Sequence, residues 1–394
     1  MRLLFFLLLI INTQAQMPSG RWHASLVIND TITLPFNFTA GDSGIVITNG
    51  DERIHIRELT MVGDSVFIQM PIFDSELRCK LSEKKLTGNF YNHARKTNNI
   101  IPFHAEFGIT YRFTKSPTKP IQNITGQYHV FFPNEDDESK DAIGIFHQTG
   151  NKLIGTFLTT TGDYRYLEGE VNGNRIWLSA FDGSHLFMFT AIISHDSLIN
   201  GEFFSGKHWH DTWSGVKDEK FKMRSEDSLT TMLSAQPFNF SFPDENGKTI
   251  SLSDDRYKDK PVIVQIMGSW CPNCMDETKF LSKWYNEERP GEIEIIALDY
   301  EKIVDHQTAS NNIIRLKKQF NINYAILFAG SADKNEAAKT LPMLNRVFAF
   351  PTTIFLDKNK KIVKIQTGFN GPATGVHYQE FINWFTEITL WMIN

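Results

Sequence analysis

The sequence predicts a multidomain chain: an all-β N-terminal half, barrel or sandwich, followed by an α/β domain with a mixed sheet. Three observations predict it. From about Gly20 to Gly215 the chain breaks into short aromatic and β-branched runs, among them RWHASLVI, SVFIQM, RIWLSAF and HLFMFTAII, bounded by Gly, Asn and Asp turns. After about residue 237 such runs alternate with helical patterns, as in PVIVQIMG, EIEIIAL, NNIIRLKKQF and YAILF. Between the two, residues 217–236 (KDEKFKMRSEDSLTTMLSAQ) are charged and polar with little period and read as a linker. A length of 394 residues also exceeds what one compact core fills.

The first residues, MRLLFFLLLIINTQAQ, differ from the rest. Arg2 supplies a positive start, Leu3 to Ile11 is an unbroken apolar run, and Thr13-Gln14-Ala15 has the small-x-small form of a cleavage site. The run falls short of the roughly 20 apolar residues that span a bilayer. Residues 1–15 are therefore expected to be a signal peptide, leaving an exported chain with no transmembrane span. A net charge of -5 and a pI near 6.2 give no electrostatic reason to expect nucleic acid as a partner.

Within the β-rich part, residues 16–216, the sequence echoes itself. LTGNF (86–90), LIGTF (153–157) and INGEF (199–203) share an apolar-x-Gly-x-Phe pattern. SVFIQM before Phe73-Asp74 parallels RIWLSA before Phe181-Asp182. Two repeats, about 20–115 and 124–216, and an up-and-down barrel of lipocalin-like character are expected. In SELRCKLS, Cys79 alternates in phase with Leu77 and Leu81, which predicts a buried, inert thiol. The stretch KHWHDTW (207–213) would set His208 and His210 on one strand face, with Trp209, Asp211 and Trp213 on the other. Two histidines without a third ligand predict no metal site.

The α/β part, 237–394, opens with a hairpin that turns at Asn246-Gly247. PVIVQIMG is a buried central strand, followed by a helix from Pro272 to about Asn286. EIEIIAL and YAILF are further strands around the helix NNIIRLKKQF, and TTIFLDKNKKIVKIQ is a second hairpin. The closing helix puts Phe381, Ile382, Phe385 and Ile388 on one stripe.

The chemistry lies in MGSWCPNCMDE, where Cys271 and Cys274 are two of the three cysteines. A pair this close can be a staple, half a zinc site or a redox catalyst. As a staple it is weak: a four-residue loop contributes about 2 kcal/mol in the loop-entropy model, against about 4.7 for a hundred-residue loop. Zinc needs further ligands, and no second Cys-x-x-Cys or nearby Cys-x-x-His is present. Position favours redox chemistry, because Cys271 follows a buried strand and opens a helix. There the free N–H groups and the positive dipole end favour the thiolate, the form that attacks disulfides. Pro272 suits the first helical turn.

These residues, with Phe350-Pro351-Thr352-Thr353 before IFLD, resemble a thioredoxin fold. The preceding hairpin, the Gly-Ser-Trp lead-in and Glu277 make residues 236–394 similar to the TlpA-like extracytoplasmic thiol-disulfide oxidoreductases. The resemblance implies that Cys271 attacks, Cys274 resolves, and the two form a reversible disulfide. It makes Pro351 a cis-proline facing the pair, with Trp270 and Phe350 as substrate contacts. Glu277 becomes a buried acid that exchanges protons with Cys274. It also implies a periplasmic location, disulfide-containing protein substrates, a membrane electron carrier as reductant, and no cofactor. Two positions depart from the pattern. Gln265 stands where thioredoxin has a buried acid, and Lys279 where the family has a second helix proline.

Two other functions fit parts of the sequence. A peroxide reductase of the same fold needs Thr or Ser three residues before its reactive cysteine, where Gly268 stands. Alternatively the β-rich half is a ligand- or partner-binding module and the α/β domain an appendage.

Overall fold

The computed structural model describes residues 17–136, 138–223, 229–233 and 238–393. The expected signal peptide and most of the polar centre of the expected linker lie outside these residues.

Among the described residues, the N-terminal half forms two nine-stranded antiparallel sheets. In the first, Gly20–Val27 pairs with both its neighbour Thr33–Gly41 and the last strand, Ile100–Phe107. Only Glu52–Ile56 and Leu59–Val62 stay unpaired with each other, leaving a seam in an otherwise circular meander. The second sheet closes. Gly126–Phe131 pairs with Asp141–Thr149 and with the last strand Trp209–Lys217, and Asp141–Thr149 also pairs with Lys152–Thr159. Closure removes the free edges that an open sheet leaves for other chains to pair with.

Strands that carry the sequence echoes hold like places in the two sheets. Ser65–Gln69 and Arg175–Phe181 are the sixth strands of their sheets, and Lys85–Asn92 and Ser197–Ser205 stand next to last. The third echo, LIGTF, sits on Lys152–Thr159 and has no counterpart at that place. A shared contact explains all three glycines. A Cβ at Gly88 would meet the Arg78 carbonyl, one at Gly155 would lie 2.6 Å from the Ile145 carbonyl oxygen, and one at Gly201 would meet that of Trp213. The glycine lets the adjacent strand press close, and the Phe two residues on enters the core.

Each barrel has its own core. Trp22, Phe36, Phe90 and Phe103 fill the first, and Phe157, Phe189 and Phe203 stack in the second. Cys79 is a free thiol buried with Leu77 and Leu81, and burial pushes its pKa up to about 12. The barrels join through Phe181, whose ring centroid lies 4.6 Å from that of Phe36. Arg112 completes the joint by donating to Thr48 O, Asn49 Oδ1 and Ser179 O at 3.0–3.1 Å.

The C-terminal domain is a five-stranded mixed sheet. Val262–Met267 lies at its centre, wholly buried. Glu294–Glu301 and then Ala325–Ser331 run parallel on one side, while Thr352–Leu356 and Ile362–Thr367 complete the other as a hairpin. Around it pack helices α1 (Pro272–Glu287), α2 (His306–Phe320), the short α3 (Lys334–Thr340) and α4 (Val376–Ile393). Helix α3 has no signal in the expected pattern; Asp333 caps it by accepting from Asn335 N and Glu336 N.

Two details differ from expectation. On α4, Trp384 rather than Ile382 joins Phe381, Phe385 and Ile388 on the core, because its indole packs against Phe355 at 5.4 Å. The described part of the expected linker, 229–233, is docked on the α/β domain. Leu229 is buried with Phe348 and Ala349, Leu233 N donates to Met343 O at 2.8 Å, and Arg346 Nε to Leu229 O at 2.7 Å. Its few apolar residues are enough to fix it.

The glycine contacts can be tested. Gly88→Ala forces a Cβ against the neighbouring backbone and should lower unfolding free energy by about 1–3 kcal/mol. Gly41→Ala, which meets nothing within 4 Å, should stay within about 0.5 kcal/mol of the parent in the same urea titration.

Candidate active site

The central strand ends at Met267, and the chain turns through Gly268-Ser269-Trp270 into α1. Asp299 on the neighbouring strand holds this turn by accepting from Ser269 N at 3.0 Å. Trp270 Nε1 donates to Tyr300 O at 2.9 Å. Gly268 leaves room for both: a Cβ there would lie 2.7 Å from Tyr300 O and against the indole.

Cys271 is the N-cap of α1, with extended backbone (φ -98, ψ 111), and Cys274 N points at its Sγ at 3.3 Å. Pro272 occupies the first helical turn. The two cysteines are joined in a disulfide. Cys271 is 6% exposed and Cys274 0%. The Phe350–Pro351 peptide is cis, and the Phe350 carbonyl oxygen lies 3.4 Å from Cys271 Sγ. The Trp270 and Phe350 rings meet edge to face at 5.7 Å.

Beneath the pair lies Glu277, 1% exposed. It accepts from Gln265 Nε2 at 2.7 Å and from Thr353 Oγ1 at 2.8 Å, while Gln265 Oε1 accepts from Thr278 Oγ1 at 3.1 Å. Burial pushes its pKa up to about 7, against the two donors. Gln265 therefore orients the acid that replaces it. Lys279 lies within α1, which runs unbroken for 16 residues.

The second barrel sits directly over the disulfide. Asn273, between the cysteines, donates through Nδ2 to Asp163 O at 2.9 Å, and Ser184 Oγ donates to Trp270 O at 3.1 Å. Two residues past Cys274, Asp276 receives Arg165 Nε at 2.7 Å and Nη2 at 3.0 Å. The same guanidinium reaches Asp182 of the second barrel and Glu52 of the first, each at 2.7 Å. Burial opposes its charge, yet Asp276, Glu52 and Asp182 hold its pKa well above the ordinary value. Asp163 accepts from Arg165 N and Gly371 N, and burial pushes its pKa up to about 7.

Barrel and helix enclose a cavity of about 560 Å³. On one wall are Trp270, Cys271, Asn273 and Phe350, and on the other Tyr164, His185, Phe187 and Phe203. Of the residues picked out by sequence, Cys271, Trp270 and Phe350 meet at this cavity, whereas Cys274, Glu277 and Pro351 are buried behind it. The histidines of KHWHDTW separate. His208 precedes the strand and lines the cavity beside Trp209, while His210 turns to Glu202 on the outer surface. Strand alternation holds only from Trp209 onward, which is why the expected pairing of His208 with His210 fails.

Asp163, Arg165, Asp182 and Asp276 carried no sequence signal. They are polar residues in turns and on a helix face, and only the fold brings positions 111 residues apart together. Asp299 and Glu301 were also missed, hidden in a strand that otherwise reads as apolar; burial, then the Glu301 carboxylate, hold Asp299 well above the carboxylate range.

Comparison with known proteins finds likenesses for the C-terminal half. The AhpC/TSA family model matches residues 234–365, so this segment is similar to the domains of that family. Thiol-disulfide oxidoreductase ResA of Bacillus subtilis is 28% identical over 130 residues, which is 33% of this chain and 64% of ResA. ResA of Bacillus thuringiensis (strain Al Hakam) is 31% identical over 126 residues, 32% of this chain and 64% of its own. The match to each thus falls just short of two thirds of the relative's length, and the β-rich half lies outside the AhpC/TSA match. Among solved structures, a thiol-disulfide oxidoreductase from Bacteroides fragilis aligns over 37% of this chain and 99% of its own, at 22% identity and TM-score 0.27. StoA from Bacillus subtilis aligns over 39% and 99%, at 18% identity and TM-score 0.27.

Glu277 gives a pH prediction. Its pKa is raised from 4.5 to about 7, so its contribution to stability is complete below about pH 4.5 and is lost as pH rises through 7. Between these limits the parent should lose on the order of 3 kcal/mol relative to Glu277→Gln. Urea titrations of both proteins from pH 4.5 to 8 measure it; parallel curves would remove the buried acid.

Proposed function

We propose that the chain is an exported thiol-disulfide oxidoreductase that reduces disulfides through Cys271 and Cys274. The observation that carries this is a disulfide-bonded Cys-x-x-Cys pair at a helix N-cap, with one sulfur facing a cavity and the other buried. In the reduced protein Cys271 Sγ, over the free N–H groups of α1, is the attacking thiolate. It displaces one substrate sulfur and forms a mixed disulfide. Cys274 then attacks Cys271 Sγ, releases the second substrate thiolate and restores the protein disulfide. Glu277 takes up the Cys274 proton in this step, which its pKa of about 7 suits near neutral pH. Trp270 and Phe350 bound the substrate, and Pro351, which has no N–H, holds the Phe350 carbonyl beside Cys271.

The family match of 234–365 and the likeness to ResA support this reading. Gly268 weighs against a peroxide reductase, since no room exists there for a Thr or Ser side chain. The apolar run Leu3 to Ile11 supports export to the periplasm, where a membrane electron carrier would return the pair to the dithiol. The β-rich half works as the roof of the site: it supplies one wall of the cavity over Cys271.

Insulin reduction by the full chain with dithiothreitol tests the proposal. Cys271→Ser should abolish turnover above background. Cys274→Ser should also stop turnover, yet accumulate a mixed disulfide at Cys271 visible by mass. A Cys271→Ser protein that keeps its rate would end the proposal.

A further inference from the structure

The cavity above Cys271 carries charge that the reaction itself does not require. Its walls hold Arg95, Lys302 and Lys334, against the carboxylates Glu135 and Asp163. Asp163 is occupied by the backbone N–H groups of Arg165 and Gly371. The cations rest on uncharged partners. Lys302 Nζ stands 3.9 Å over the Trp270 ring, Lys334 Nζ 5.3 Å over Phe348, and Arg95 Nη2 3.3 Å from His208 Nε2. Among the described residues, none of the three has a carboxylate within ion-pair distance; Glu135 and Asp136 act on Lys334, and Glu301 on Lys302, only from further away.

Arg95 is half-buried, and Lys302 and Lys334 reach solvent at the edge of the cavity, so three cations without an ion-paired carboxylate give its mouth a positive potential. An anion is drawn to it. The opposite wall, Tyr164, Phe187, Phe203 and Trp209, is aromatic and suits a short apolar stem. About 560 Å³, open to solvent on one side, has room for a small molecule or a single extended strand beside Cys271.

We propose that the substrate reduced at this site is an anionic disulfide, with carboxylates beside the sulfur held by Arg95, Lys302 and Lys334. This rests on the thiol-disulfide reading above. The electrons balance within it: the Cys271 thiolate opens the substrate disulfide, Cys274 closes the protein disulfide, and the substrate leaves as two thiols carrying the two electrons and two protons. The anion can belong to a small dicarboxylate disulfide or to an acidic peptide segment with a disulfide; the chemistry recognised is the same.

The test uses the full chain, reduced with dithiothreitol, desalted, and followed through a single turnover. Its probes are dithiodipropionate and the uncharged diamide of the same compound, each rate being divided by that of free dithiothreitol. The diacid should be favoured about tenfold or more, with the preference shrinking as salt rises. In the Arg95→Gln/Lys302→Gln/Lys334→Gln variant the diacid-to-diamide ratio should fall toward one, and Lys302→Gln alone should lower it several-fold should the triple variant not fold. Equal parent rates, or a ratio the variants leave unchanged, overturn the charge selection. Failure to reduce either probe overturns instead the thiol-disulfide reading beneath it. A disulfide peptide flanked by Asp, compared with one flanked by Asn, separates the sources. Preference for the Asp peptide assigns a protein segment, and preference for the diacid alone assigns a small molecule.

Discussion

The arrangement turns on one guanidinium. Arg165 joins Glu52 of the first barrel, Asp182 of the second and Asp276 of helix α1, so both barrels and the α/β domain share one buried charge. Buried ion pairs owe their persistence to complete partnering: removing one member strands the others in low dielectric, at a cost of about 3–5 kcal/mol. The backbone of Arg165 is itself held at φ 56, a left-handed conformation rare for a side-chain-bearing residue. That turn aims the Asp163 carbonyl at Asn273 and its carboxylate at Gly371 N. Beside the Arg165 cluster, Asn273 with Asp163 O, Ser184 with Trp270 O and Arg346 with the Glu138 carboxylate also hold the barrel on the α/β domain.

With the roof in place, the redox pair has two different surroundings. Cys271 opens onto an aromatic, cationic chamber, while Cys274 is fully buried and Glu277 is held in the interior by Gln265 and Thr353. The roles proposed for the two sulfurs follow this division: an attacking sulfur needs access and a resolving sulfur protection. In the proposed function the β-rich half limits what reaches Cys271, since it supplies one wall of the cavity over that sulfur.

Much of this was legible in the sequence because it is local. Period-two runs marked the strands, Gly88 and Gly201 marked equivalent places of two repeats, and Cys271-Pro272-Asn273-Cys274 with Phe350-Pro351 marked the α/β domain. What stayed hidden depends on distance along the chain. Asp163 and Arg165 sit in a turn of the second barrel, and nothing near them announces a partner more than a hundred residues away. Residues 229–233 looked like linker because 217–236 carries no period, yet burial of Leu229 and Thr230 and backbone bonds to Met343 and Asn345 dock them.

The central claim, that the Arg165 cluster holds the barrel over the active site, is tested most directly by alkylation of the reduced protein. Iodoacetamide labelling of Cys271 should be several-fold faster in Arg165→Met than in the parent, because the roof is released from α1. Cys79, buried in the first barrel, reports on wholesale unfolding and should remain unlabelled in both. Equal labelling of Cys271 in a folded Arg165→Met protein would contradict the account.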